Sequence, residues 1–266
     1  TFLEKSLECD KKKHGLNSHN VAVRLGNLAS MYDNLGDFEK SIILANKALN
    51  IDLGIFDKNS KEVDVWRGVI GNGYKGIWEL DHTDLNSLKK AMSYLELVYS
   101  NSLKRDGEDD LNTAIEGANL GSIYGIMGGE TNDYGLIKKG LRIQKKSLEV
   151  EERIWGSLNP FVFTLKNNIA STYQNLGELE NAKFYYKASI DDTNEYYNEE
   201  GHPSLASYYF NYGVLLFVMR QFTEGIEAMK KGLAIAKSFY GDHHYITNTI
   251  ENALEKVVND YNQMNK

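Results

Sequence analysis

Asparagine recurs at one place in a repeating pattern. Asn27, Asn119, Asn168 and Asn211 each stand just before a large residue of a helical motif, and Asn252 holds the matching place near the end of the chain. Val69 breaks the series, with Asn72 three residues on, and Ser30, Asn34, Ser171 and Asn175 follow at helical spacing. A carboxamide both donates and accepts hydrogen bonds. A row of them can pair with the N–H and C=O groups of an extended peptide without reading its side chains.

Other chemistry is thinly represented. The histidines are His14, His19, His82, His202, His243 and His244; none forms a His-x-x-x-His pair, and adjacent His243 and His244 cannot face the same way on a helix. Polar capping of helix starts explains those in the later links. Glu79-x-x-His82 is half of a carboxylate-bridged metal motif whose second copy is missing. Asp106-x-Glu108-x-Asp110 lacks the glycine and closing glutamate of a calcium loop. Gly71-Asn72-Gly73 follows no strand and is no phosphate loop. One cysteine, Cys9, supports neither a disulfide framework nor a cysteine metal cluster. No catalytic group, metal site or cofactor is expected, and the chain reads as a non-enzyme.

The elements that must carry the asparagines are helices. The 266 residues are 25% charged and 42% hydrophobic, enough to bury a large core, and the two prolines, Pro160 and Pro203, fall outside helical patterns. A net charge of −7 disfavours nucleic acid as a partner. The longest apolar run, 214–219, is too short to span a bilayer, and no signal peptide is visible, so a cytoplasmic protein is expected. The start at Thr1, within half a repeat, suggests a piece of a longer chain.

Leu25-x-x-Leu28-Ala29-x-x-Tyr32, then Gly36, Phe38, Ser41, Ala45 and Ala48, make a two-helix unit. It returns as Ile70-Gly71-x-x-Tyr74, Leu120-Gly121-x-x-Tyr124, Ile169-Ala170-x-x-Tyr173 and Tyr212-Gly213-x-x-Leu216. The large–large–small–aromatic order resembles the tetratricopeptide repeat, and the unit length of about 42 rather than 34 residues resembles the kinesin light chain type. The resemblance covers nearly the whole chain. It implies an all-α fold, a right-handed α-solenoid of tandem hairpins in a single domain. The expected divisions are a partial repeat over 1–16, repeats over 19–62, 63–109, 110–158, 159–201 and 202–241, and a capping helix over 243–263. Helix A of the first repeat is expected near 19–35 and helix B near 38–57. Enlarged turns are expected over 80–86 and 128–135. The links Gly156 to Val162, Gly201 to Leu205 and Gly241 to Ile246 carry the stop-and-start grammar of glycine at C′ and proline or a polar residue at the next start.

In such arrays helix A lines the concave face, so the resemblance turns Asn27, Asn72, Asn119, Asn168, Asn211 and Asn252 toward a groove, with Ser30, Asn34, Ser122, Asn167, Ser171, Gln174, Asn175 and Ser207 around them. It implies a protein-interaction scaffold binding an extended segment of a protein partner, through Asn27, Asn119, Asn168 and Asn211 above all. The other reading of the same asparagines is helix packing without a ligand. Phe210, Val214 and Phe217 are either an apolar pocket or the seat of the capping helix. Lys75 and Lys166 are the few groove cations, too few for a carboxylate clamp of the kind that holds chaperone tails. Two further expectations stand beside the scaffold. One is a regulatory arm of a larger enzyme or signalling protein. The other is a homo-oligomer through helix-B faces at Tyr185, Tyr186, Tyr196 and Tyr197.

Overall fold

The computed structural model describes residues 2–198 and 201–264. Residue 1, where the partial repeat was expected to begin, and residues 199 and 200 of the fourth repeat lie outside them. The described residues form twelve helices and no strand: α1 (Phe2–His14), α2 (His19–Asn34), α3 (Phe38–Leu53), α4 (Lys61–Leu80), α5 (Leu85–Asp106), α6 (Leu111–Thr131), α7 (Tyr134–Trp155), α8 (Pro160–Leu176), α9 (Leu179–Tyr197), α10 (Ser204–Val218), α11 (Phe222–Tyr240) and α12 (Tyr245–Met264). No described helix is long and apolar enough to cross a membrane. The chain divides into two compact units, Thr1–Ile123 and Tyr124–Lys266, with the division inside α6.

In the first unit α2 pairs with α3 and α4 with α5, while α1 packs on α2 and α2 touches α4. The starts are set by short polar side chains. Asp37 accepts from the Lys40 N–H at 3.2 Å, and Asp84 accepts from the Ser87 N–H at 3.1 Å. Ala22, Ala29, Ala45, Ala48, Val63 and Ile70 are sealed in the core. One polar knot sits among them. Asp52 is fully buried and takes the Trp66 indole N–H at 2.6 Å and the His19 ring at 3.0 Å. The Trp66 ring lies where a side chain on Gly26 would be; a Cβ there would come within 2.0 Å of it.

The expected enlarged turns are absent. The α4–α5 connection is only residues 81–84 and the α6–α7 connection only 132–133. The extra residues instead lengthen the A helices, to 20 in α4 and 21 in α6, against 16 in α2. Gly128 and Gly129 look like breakers in the sequence but serve close packing. A Cβ on Gly128 would meet Ile137 at 2.6 Å, and one on Gly129 would meet Asn175 at 3.0 Å. The turn itself uses Asn132 at φ 54.

In the second unit α8–α9 and α10–α11 are hairpins, α7 packs on α8, α8 touches α10, and α12 covers α11. Pro160 stands in the first turn of α8 behind an Asn159 cap, and Gly177 closes that helix at φ 81. Pro203 stands one residue earlier than expected, at the N-cap of α10. There His202 Nδ1 accepts from the Ser204 N–H at 3.3 Å, as His244 Nδ1 does from the Ile246 N–H at 3.3 Å. These two link histidines are helix caps. Phe210 and Val214 pack with Ile226, Met229 and Leu254 against α12, so they seat the last helix and form no open pocket.

The buried face of α7 carries a polar stripe beside Ile137, Ile143, Leu148 and Val150. Gln144, Ser147 and Glu151 repeat at helical spacing, all buried. Both polar atoms of Gln144 and one carboxyl oxygen of Glu151 have no hydrogen-bond partner. Burial pushes the Glu151 carboxyl up to about 7. It therefore keeps its proton in the fold when the unfolded chain has lost it, and stability falls as pH rises from the ordinary carboxylate range toward 7.

Gly26→Ala should lower stability by about 1–3 kcal/mol, since Trp66 has to leave its hydrogen bond to make room; a thermal midpoint equal to the parent's would contradict this. Glu151→Met should gain on the parent by up to about 3 kcal/mol between pH 4.5 and pH 8, read as the change in the difference between their urea midpoints. A pH-independent difference would show that Glu151 is not held protonated.

Candidate functional site

The ten candidate residues lie on A helices or on α12, and none is buried. On α2, Asn27, Ser30 and Asn34 stand at intervals of three and four, so they share one face, and all three are exposed. Asn72 on α4 is exposed and Asn119 on α6 is half-buried. In the second unit Asn168, Ser171 and Asn175 repeat the α2 spacing on α8, half-buried, Asn211 on α10 is half-buried too, and Asn252 on α12 is exposed.

Their polar atoms differ in what they already do. The side chains of Asn27, Ser30, Asn72, Asn168 and Asn252 make no hydrogen bond within the described residues. Asn175 donates from Nδ2 to the Gly125 carbonyl at 3.0 Å, and Asn211 donates from Nδ2 to Asn167 Oδ1 at 3.3 Å. Ser171 stands beside the Tyr186 hydroxyl, which donates to Gln174 Oε1 at 3.4 Å. Asn167, expected in the groove, is instead buried as the acceptor for Asn211. Each bonded carboxamide keeps an oxygen or a second N–H for another partner.

Both expected groove cations are neutralised. Lys75 is ion-paired with Glu79, which raises its pKa against burial, and Asp33 adds to the rise. Lys166 lies 2.9 Å from Asp192 and 3.2 Å from Glu152; burial works to lower its pKa, and the two carboxylates outweigh it. Neither side chain is left to hold a terminal carboxylate.

Glu116 did not stand out in the sequence. It hydrogen-bonds Asn119, and burial, helped by the nearby Asp64 carboxylate, pushes its carboxyl up to about 7, with Asn119 and Arg105 opposing. Asp64 is itself buried and takes Arg67 at 2.9 Å, Asn101 at 3.0 Å and Arg105 at 3.2 Å. It lies far from Glu116 along the chain, so spacing alone could not have paired them. Among the described residues no three His, Cys, Asp or Glu side chains are grouped to hold a metal ion. The tyrosines expected on an outer contact are largely occupied. Tyr186 is buried, Tyr185 stacks on Tyr173, and Tyr196 packs edge-on against Phe163.

Residues 24–54 and 164–191 match the tetratricopeptide repeat model, and these are the stretches that carry Asn27 and Asn168. No curated protein matches the chain by sequence. Among solved structures it is similar to BtubC (BKLC) from P. vanneervenii, at 16% identity and a TM-score of 0.61 over 90% of this chain and 89% of that one. It is also similar to nearly identical TPR-like repeats described as a kinesin light chain from Podosopora anserina, at 16% identity and a TM-score of 0.56 over 81% of this chain and 95% of that one. The fold is that of tandem tetratricopeptide hairpins, and its structural relatives include kinesin light chain-like proteins, as the sequence pattern implied.

A carboxyl-selective NMR titration should place the Glu116 midpoint near 7, and Asp64→Asn should move it down, because a repelling charge is removed. A Glu116 midpoint in the ordinary carboxylate range would refute the burial argument.

Proposed function

We propose that the chain is a protein-interaction scaffold whose A-helix faces hold an extended segment of a partner protein through main-chain hydrogen bonds to carboxamides. The observation that carries this reading is that Asn27, Asn72, Asn168 and Asn252 are solvent-accessible and have no internal partner. A helix-packing role would consume those groups. Asn27 and Asn168 occupy equivalent places in the two matched repeats, which gives each unit the same fitting. The side chains present no unpaired lysine at Lys75 or Lys166, so recognition would rest on neutral contacts rather than on charge. The net charge of −7 favours a protein over a nucleic acid as the partner.

A peptide-array screen with the full chain tests this. Any hit should lose about tenfold or more in affinity in the Asn27→Ala plus Asn168→Ala variant, since each lost hydrogen bond is worth about 1 kcal/mol. Unchanged affinity with unchanged thermal stability would discard the carboxamide mechanism and leave only the fold.

A further inference from the structure

The carboxamide stripe of α8 does not end at Asn168. Going toward the helix start, Thr164 and Phe161 continue it at intervals of four and three, and on α10 Tyr208 precedes Asn211 by three. Between the starts of these two helices and the end of α9 lies a cavity of about 160 Å³, lined by Phe161, Phe163, Thr164, Tyr197, His202 and Tyr208 among others. We infer that this cavity is the side-chain subsite of the α8–α10 face and that it takes a prolyl residue of the bound segment. The inference deepens the extended-segment reading and rests on it only for the source of the proline.

The chemistry of the walls selects the occupant. Among the described residues the lining holds rings and hydroxyls, with no branched aliphatic side chain and no carboxylate or ammonium. Tyr197 and His202 present parallel rings 4.2 Å apart at 17°, and Phe161 stands at the rim with 61% of its surface exposed. The cavity has room for one ring and not for a cofactor, whose sites run to about 300–1,000 Å³. Its polar atoms point one way. The Thr164 hydroxyl donates to the Pro160 carbonyl at 3.0 Å, so across 2.8 Å it accepts from the Tyr208 hydroxyl. His202 Nδ1 accepts from Ser204, so the neutral ring carries its proton on Nε2, and burial holds its pKa below the ordinary value. The imidazole thus offers a donor. A prolyl unit suits this set. Its ring lies flat on aromatic faces, it brings carbonyl acceptors, and it has no N–H to leave unpaired. A lysyl side chain would find no counter-charge among the described residues, and a leucyl residue would bring a main-chain N–H to be paired and no ring to lie on the aromatic faces.

The test is an NMR titration of the full chain with N-acetyl-alanyl-prolinamide, following the Thr164 and Thr193 methyls and the His202 ring. The alanyl-tryptophanamide, -leucinamide and -lysinamide analogues serve as competitors. The expected result is saturable shifts at those three residues, at least threefold tighter for the prolyl compound than for any analogue, and at least fivefold weaker in Phe161→Ala. Phe161 is exposed, so its truncation should leave the far-ultraviolet circular dichroism and thermal midpoint in place. Absence of saturable shifts, tighter binding of an analogue, or indifference to Phe161→Ala would overturn the assignment. The dipeptide is too short to need the carboxamide rows. Saturable binding of it beside an unaltered Asn27→Ala plus Asn168→Ala variant in the peptide screen would therefore discard the rows and keep the pocket.

Discussion

Close approach of helix backbones is the constraint on which both units depend. In the α10–α11 hairpin Gly213 and Gly225 face each other so closely that a Cβ on either would lie 2.7–2.8 Å from the carbonyl oxygen of the other. Gly232 stands as near to the Ala206 carbonyl, and in the first unit Gly73 and Gly76 admit Ile42 and Phe38 of α3 against α4. A glycine inside a helix costs about 1 kcal/mol relative to alanine. These positions accept that cost because backbone contact fixes the distance between paired helices. With that distance set, one face of each A helix is committed to packing and the opposite face is left for polar residues, which is where the asparagines stand.

Polar groups inside the core divide into satisfied and unsatisfied sets, and the two behave differently. Asp52 and Asp64 are buried with two or three donors each, and each ties together neighbouring helices, α2, α3 and α4 at Asp52 and α4 and α5 at Asp64. Such knots fix helix orientation more than they add net stability, because desolvation offsets much of the attraction. The Gln144–Ser147–Glu151 face of α7 has no comparable donors, so Glu151 answers the same burial by keeping its proton. The helix pattern is the same in both places; what differs is whether the facing helix supplies a partner.

That difference marks how far a single sequence can be read. Periodicity and turn residues placed the A and B helices, the closing glycines at Gly156 and Gly241, and the last helix over α11. They misread Gly128 and Gly129, because a glycine used for close packing and a glycine used for a turn are the same letter, and only the positions of Ile137 and Asn175 tell them apart. Helical spacing also showed which residues share a face with Asn27 or Asn168. It could not show that Asn167 turns inward to meet Asn211, that Asp64 stands near Glu116, or that Phe161 and Tyr208 frame one cavity. Those facts rest on how side chains meet in space, and the period of one helix does not encode that.

The carboxamides that are already bonded once are worth as much attention as those that are unbonded. An exposed asparagine such as Asn27 must give up rotamer freedom to hold a guest, a loss of about 0.5–1.5 kcal/mol per side chain at an interface. Asn175 and Asn211 have made most of that concession in the free protein, since the Gly125 carbonyl and Asn167 hold their amides in place. Each keeps its oxygen, so what it offers is an oriented acceptor for a backbone N–H. A contact to such a group gains nearly the whole hydrogen bond, whereas a contact to Asn27 gains the bond less the ordering cost. Under the proposed reading, then, Asn175 and Asn211 would offer a guest pre-oriented acceptors, and Asn27 and Asn168 would offer more adaptable ones.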